Sequence, residues 1–207
     1  MKRRTRGYTV VELMMSLAVF ATGVTGVIAM ERATVSSNQL AKNLAIANGI
    51  AESWLSQLAA DGTAWSSQWS VTQTTWLSSV AANDGVWQLP GYDAGRAFGP
   101  EFDALGAPTT ANPSFCAQIR LTWLYGDASP TQATGIAGNG VIRTEVRVFW
   151  LRDQAKADYS GTPVDLNARF ANDCTNNSPA TMQAMSAAFT DGTYHVVTQA
   201  SAVRQPN

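Results

Sequence analysis

A chain of 207 residues is long enough for one ordinary domain plus an extended element. Its net charge of −1 and its 14% share of charged residues, against a usual ~25%, lack the basic excess of a nucleic-acid surface, so no nucleic-acid partner is expected. Two distant cysteines, Cys116 and Cys174, with no CxxC and a lone His195, leave no Cys/His cluster for zinc, and neither a metal site nor a cofactor is expected.

Residues 1–7 carry Lys2, Arg3, Arg4 and Arg6 ahead of a hydrophobic run, and such a cluster holds its end in the cytoplasm. From Tyr8 to Met30 the chain is almost wholly apolar or small. At about 1.5 Å per residue, a helix over 8–30 crosses a ~30 Å hydrocarbon core. One charge breaks the run, Glu12. An acid within a membrane span costs about 2.5–3.5 kcal/mol, which marks Glu12 as a functional residue. A secretory signal peptide is the competing reading, and Val27-Ile28-Ala29 imitates its cleavage site. Such a signal has an apolar stretch of only roughly 7–15 residues and no acid near its start, so the run argues for an anchor that is kept.

The helical pattern continues over 31–60, where Leu40, Leu44, Ala47, Ile50, Ala51, Trp54, Leu55 and Leu58 recur at helical spacing among polar residues. This is an amphipathic helix with one apolar stripe. No proline interrupts 8–60, so the spacing predicts one helix of about 80 Å. Gly23, Gly26 and Gly49 are its weak points, each costing up to ~1 kcal/mol relative to alanine.

Residues 61–114 form a connecting segment rich in Ser, Thr, Gly, Asn and Trp. Trp65, Trp69, Trp76 and Trp87 are best read as indoles that pin this segment onto the head, and only secondarily as a sugar- or surface-binding platform. Residues 115–207 read as an antiparallel sheet. Phe115–Tyr125 places Ala117, Ile119, Leu121, Trp123 and Tyr125 on one face and Gln118, Arg120 and Thr122 on the other. Val141–Leu151 places Ile142, Val146, Val148 and Trp150 opposite Arg143, Glu145 and Arg147, whose alternating charges read as a solvated face. Thr193–Val203 completes the sheet, and 153–192 reads mainly as loop. His195 lies in a strand pattern with neither a nucleophile motif nor an orienting acid nearby, so no enzyme is expected. Cys116 and Cys174 pair in an oxidising compartment, contributing ~4 kcal/mol in the chain-entropy model, or stay as buried thiols in the cytosol.

The run Arg6-Gly7-Tyr8-Thr9-Val10-Val11-Glu12-Leu13-Met14 resembles the class III signal of type IV prepilins. The resemblance implies cleavage after Gly7 by prepilin peptidase and N-methylation of the new amino terminus, Tyr8. It makes Glu12, fifth after the cut, the acid used in assembly. The family usually begins its mature chain with Phe, and Tyr8 keeps the ring. The implied fold is α+β, the type IV pilin fold, with a long N-terminal helix packed on an antiparallel sheet. The implied setting is a single-pass protein of the bacterial inner membrane, its head in the periplasm and later on the pilus. There Cys116 and Cys174 would form a disulfide stapling the loop to the first strand. Asn43-Leu44-Ala45-Ile46-Ala47-Asn48, Arg120-Leu121-Thr122-Trp123 and Val146-Arg147-Val148-Phe149-Trp150 further resemble the minor pilins of the PilV, or pilus modification, type. That likeness implies a low-copy structural subunit. Its partners would be other minor and major pilins, met through the helix, and the inner-membrane assembly machinery. A minor pseudopilin of type II secretion is the alternative within the class, and a membrane-anchored adhesive head the one outside it.

Overall fold

A stretch with no proline produces one helix, α1, from Val10 to Gly62 (53 residues) in the computed structural model, its glycines notwithstanding. The structure describes residues 9–65, 71–125, 140–152, 166–190 and 192–205. The chain divides into two units, residues 1–43 and 44–207. The first is helical in its described part, and its apolar side chains are open: Val10, Met15, Val19, Phe20 and Met30 are each largely exposed.

In the second unit, the α1 residues Ala47, Ile50, Ala51, Trp54 and Leu58 fall on one face and are buried. Burial thus starts later than the sequence stripe suggests, since Leu44 stays 38% exposed. The buried face meets a five-stranded antiparallel sheet. Its long strands are β3 (Phe115–Tyr125), β4 (Val141–Leu151) and β5 (Tyr194–Arg204), within a residue of the expected runs. Two strands of two residues each, β1 (Trp87–Gln88) and β2 (Glu101–Phe102), pair with the outer side of β3. They lie in the connecting segment and were not expected. Phe115, Ala117, Ile119 and Leu121 of β3, with Ile142, Val146, Val148 and Trp150 of β4, form one core with the α1 stripe. Each large side chain fully buried there contributes about 1.5–3 kcal/mol. Trp54 sits at its centre, edge-on to Trp76 (5.2 Å) and Phe98 (4.6 Å). Trp65 and Trp76 are buried, which makes them pins for the connector, while Trp69 lies outside the described residues.

The region expected to be loop differs most. Two helices, α2 (Leu166–Thr175) and α3 (Pro179–Thr190), occupy its described part. Ser178 starts α3 by accepting the Thr181 N–H at 3.2 Å, and Pro179 sits at the first helical position, where its missing N–H costs nothing. Phe170, Cys174 and Met185 from these helices close a second core with Cys116, Phe149 and Tyr194 on the other face of the sheet. The face expected to be solvated is therefore partly covered, and Gln118 (0%), Glu145 (5%) and Arg147 (8%) are buried.

The end of α1 is fixed by a carboxylate. Asp61 is 1% exposed and accepts three main-chain N–H groups: Thr75 (2.8 Å), Trp76 (2.8 Å) and Leu77 (3.1 Å). Leu77 begins a short 3-10 helix, Leu77–Ala81, so the acid satisfies donors that helix cannot satisfy itself. Arg96 adds its charge at 3.8 Å. Gly62 follows, where Val203 of β5 leaves no room for a side chain.

Candidate functional site

The sequence-predicted residues fall into two groups. Gly7 and Tyr8, the proposed cut and new terminus, lie outside the described residues. Glu12 is in the first turn of α1 and exposed. Its main-chain N–H donates to Thr9 Oγ1 at 3.3 Å, so Thr9 acts as the N-cap and Glu12 stands three residues into the helix. Thr9-x-x-Glu12 is the pattern of a capping box, a local use for the acid that its sequence context also allows. Glu12 makes no ion pair among the described residues.

Beyond it the helix suits an apolar medium. The hydroxyls of Ser16, Thr22, Thr25 and Thr34 donate to carbonyls three or four residues back, at 2.7 to 2.9 Å. They therefore need no outside partner, as a segment in lipid requires. Among the described residues α1 is the one helix long and apolar enough to cross a membrane.

Cys116 on β3 and Cys174 on α2 are brought together. Both are buried free thiols packed in the same second core. Burial pushes both thiols above their ordinary range. Beside them Tyr194 donates to Asp173 at 2.7 Å, and burial together with that carboxylate pushes the phenol far up.

Sequence reasoning missed a cluster on the same face of the sheet. Glu145 takes hydrogen bonds from Arg120 (2.6 Å) and Arg143 (2.8 Å), and the Arg120 bond is the main reason its carboxyl lies below the usual range. Arg147 has no carboxylate partner among the described residues. It donates to Gln118 Oε1 at 2.6 Å and lies 4.4 Å from the Trp87 ring centroid and 4.6 Å from that of Phe189. Burial, helped by the Arg120 charge, brings its guanidinium down to about 10, still charged at neutral pH. The aromatic faces replace part of the hydration it has lost. The signal available beforehand was the two rings, Trp87 and Phe189, but only tertiary structure brings them to β4.

Residues 2–28 match the prokaryotic N-terminal methylation motif. The match spans the basic leader, Gly7, Tyr8, Glu12 and most of the apolar run, and supports a type IV pilin-like or pseudopilin-like precursor with an apolar N-terminal helix. No curated protein and no solved structure matches the chain. With the methylation motif at its N-terminus and α1 packed on an antiparallel sheet, the architecture is consistent with the α+β type IV pilin fold.

Proposed function

We propose that this protein is a minor type IV pilin of the PilV type, a non-enzymatic structural subunit that primes or modifies pilus assembly from the inner membrane. The observation that carries the reading is the order basic leader, Gly7, aromatic Tyr8, acid Glu12, apolar helix, within the stretch matching the methylation motif. Prepilin peptidase cuts after Gly7 and methylates Tyr8. The helix then holds the head on the periplasmic side until the subunit joins other pilins. The burial of Trp65 and Trp76 removes two of the four indoles that an adhesive platform would use, so binding through the head is the weaker reading.

A pseudopilin of type II secretion shares the same motif, and one experiment separates the two. Deleting the gene is expected to reduce surface filaments counted by electron microscopy, with recovery on complementation and unchanged secretion of folded exoproteins. Normal filament numbers with lost secretion would transfer the protein to the secretion system.

The juxtaposed thiols support a disulfide between Cys116 and Cys174 in the exported head. Buried thiols with raised pKa values hold little of the reactive thiolate, so the bond forms while the head folds and before the second core closes. Their burial also makes labelling of the native protein uninformative. Protein recovered from the periplasmic side and unfolded without reductant is expected to show no free thiol, and quantitative labelling of both cysteines would refute the bond.

A further inference from the structure

Helices α2 and α3 cover the second face of the sheet in different ways. Under α2 the groups are apolar or well paired. Phe170 and Cys174 are buried in the second core, and Asp173 of the same helix accepts the Tyr194 hydroxyl at 2.7 Å. A carboxylate acceptor makes the stronger kind of hydrogen bond. The turn that follows α2 is also held, because Asn177 Oδ1 accepts the Leu89 N–H at 3.0 Å.

Helix α3 closes over polar groups that it satisfies poorly. Gln118 is fully buried, and its Nε2 donates to two thioether sulfurs, Met185 at 3.2 Å and Met182 at 3.4 Å. A thioether is a weak acceptor. Beside it the Arg147 guanidinium lies 4.6 Å from the Phe189 ring centroid, buried, and its Nη2 has no hydrogen-bond partner among the described residues. A buried donor short of an acceptor carries a desolvation cost that hydration removes, so water serves both groups better than α3 does. Of the three α3 side chains that seat the helix, Met185 is buried, and Met182 and Phe189 are only partly so.

We propose that α3 is a lid, which lifts from the sheet while α2 and the strands stay in place. It pivots at Asn177, which the connecting segment holds, and at Gly192, whose φ of +78° lies in the left-handed region open to glycine. Lifting takes Met182, Met185 and Phe189 away and returns Gln118 and Arg147 to water. It also adds Arg147 to Arg120 and Arg143, whose side chains are already 34% and 49% exposed on the same face. The open head thus presents three guanidiniums around Glu145, and the closed lid hides one of them. The lid belongs to the head and is independent of the N-terminal motif, so either reading can fail without the other.

The test is native-state amide exchange, read residue by residue on the full-length chain in detergent micelles. Reductant is kept present, so that the cysteines stay the thiols of this structure and no bond reinforces α2. The Met185, Ser186 and Ala187 amides of α3 are expected to show protection at least about tenfold lower than the Asp173, Cys174 and Thr175 amides of α2. Replacing both polar groups together, Gln118→Met with Arg147→Met, keeps their approximate shape and removes the reason to open. It is expected to raise α3 protection about tenfold and leave α2 unchanged. Equal protection of the two helices in the wild-type chain would overturn the lid, and this comparison decides alone if the double variant does not fold. A folded double variant whose α3 amides exchange as in wild type would overturn it too, because the buried polar groups would then not drive the opening.

Discussion

Asp61→Ala is expected to lower the stability of the head by about 3–5 kcal/mol. The substitution leaves the main-chain N–H groups of Thr75, Trp76 and Leu77 without their acceptor in a buried place. Each buried donor left unsatisfied costs about 1–3 kcal/mol, and neighbouring losses do not add in full. For a chain of this size the melting temperature should fall by about 10 °C. The measurement is thermal unfolding of the detergent-solubilised full chain, followed in the near-ultraviolet, where buried Trp54 and Trp76 report head packing. Asp61→Asn keeps one acceptor oxygen and should lose distinctly less. The Arg96 contact cannot account for the difference between the two variants, because both remove the charge that Arg96 faces. A melting point for Asp61→Ala within about 2 °C of wild type would refute the role assigned to this carboxylate.

Asp61 shows where sequence reasoning reaches its limit. An acid in the last turn of a helix opposes the helix dipole, so Asp61 just before Gly62 is locally unfavourable and hints at a use elsewhere. Its partners lie 14 to 16 residues on, and nothing in the spacing identifies them. The long strands were legible because period-two alternation over eleven residues is a strong signal. β1 and β2 were not legible, since two-residue strands exist only by pairing with β3. Helices α2 and α3 were obscured by a composition of alanine, asparagine, threonine and methionine, although Ser178-Pro179 was a start signal in plain sight. Missing those helices led directly to the misreading of Gln118, Glu145 and Arg147 as solvated, because α3 supplies the Met182 and Met185 sulfurs against Gln118 and the Phe189 ring against Arg147. The N-terminal methylation motif was legible in outline from charge, length and one misplaced acid. The local capping by Thr9 became visible only with the main chain in place.

That capping contact sharpens the expected behaviour of Glu12. Two roles are physically available to it. As the third helical residue after Thr9, it stands where a capping-box side chain reaches back to the N-cap, a local role that glutamine fills equally well. In the packed filament of the proposed pilin reading, by contrast, the same carboxylate would stand among apolar helices and require a cation, for which the α-amino group of Tyr8 on a neighbouring subunit is the proposed partner. Breaking a buried ion pair by removing one partner costs about 3–5 kcal/mol, equivalent to about a hundredfold or more in an association equilibrium. Glu12→Ala and Glu12→Gln are therefore both expected to be cleaved and membrane-bound in normal amounts, and both depleted about a hundredfold from sheared filaments. The glutamine variant is the decisive one, since it preserves shape and capping and removes only the charge. If Glu12→Gln enters filaments at the wild-type level while Glu12→Ala does not, the acid acts through the helix end alone. If both enter normally, it has no part in assembly.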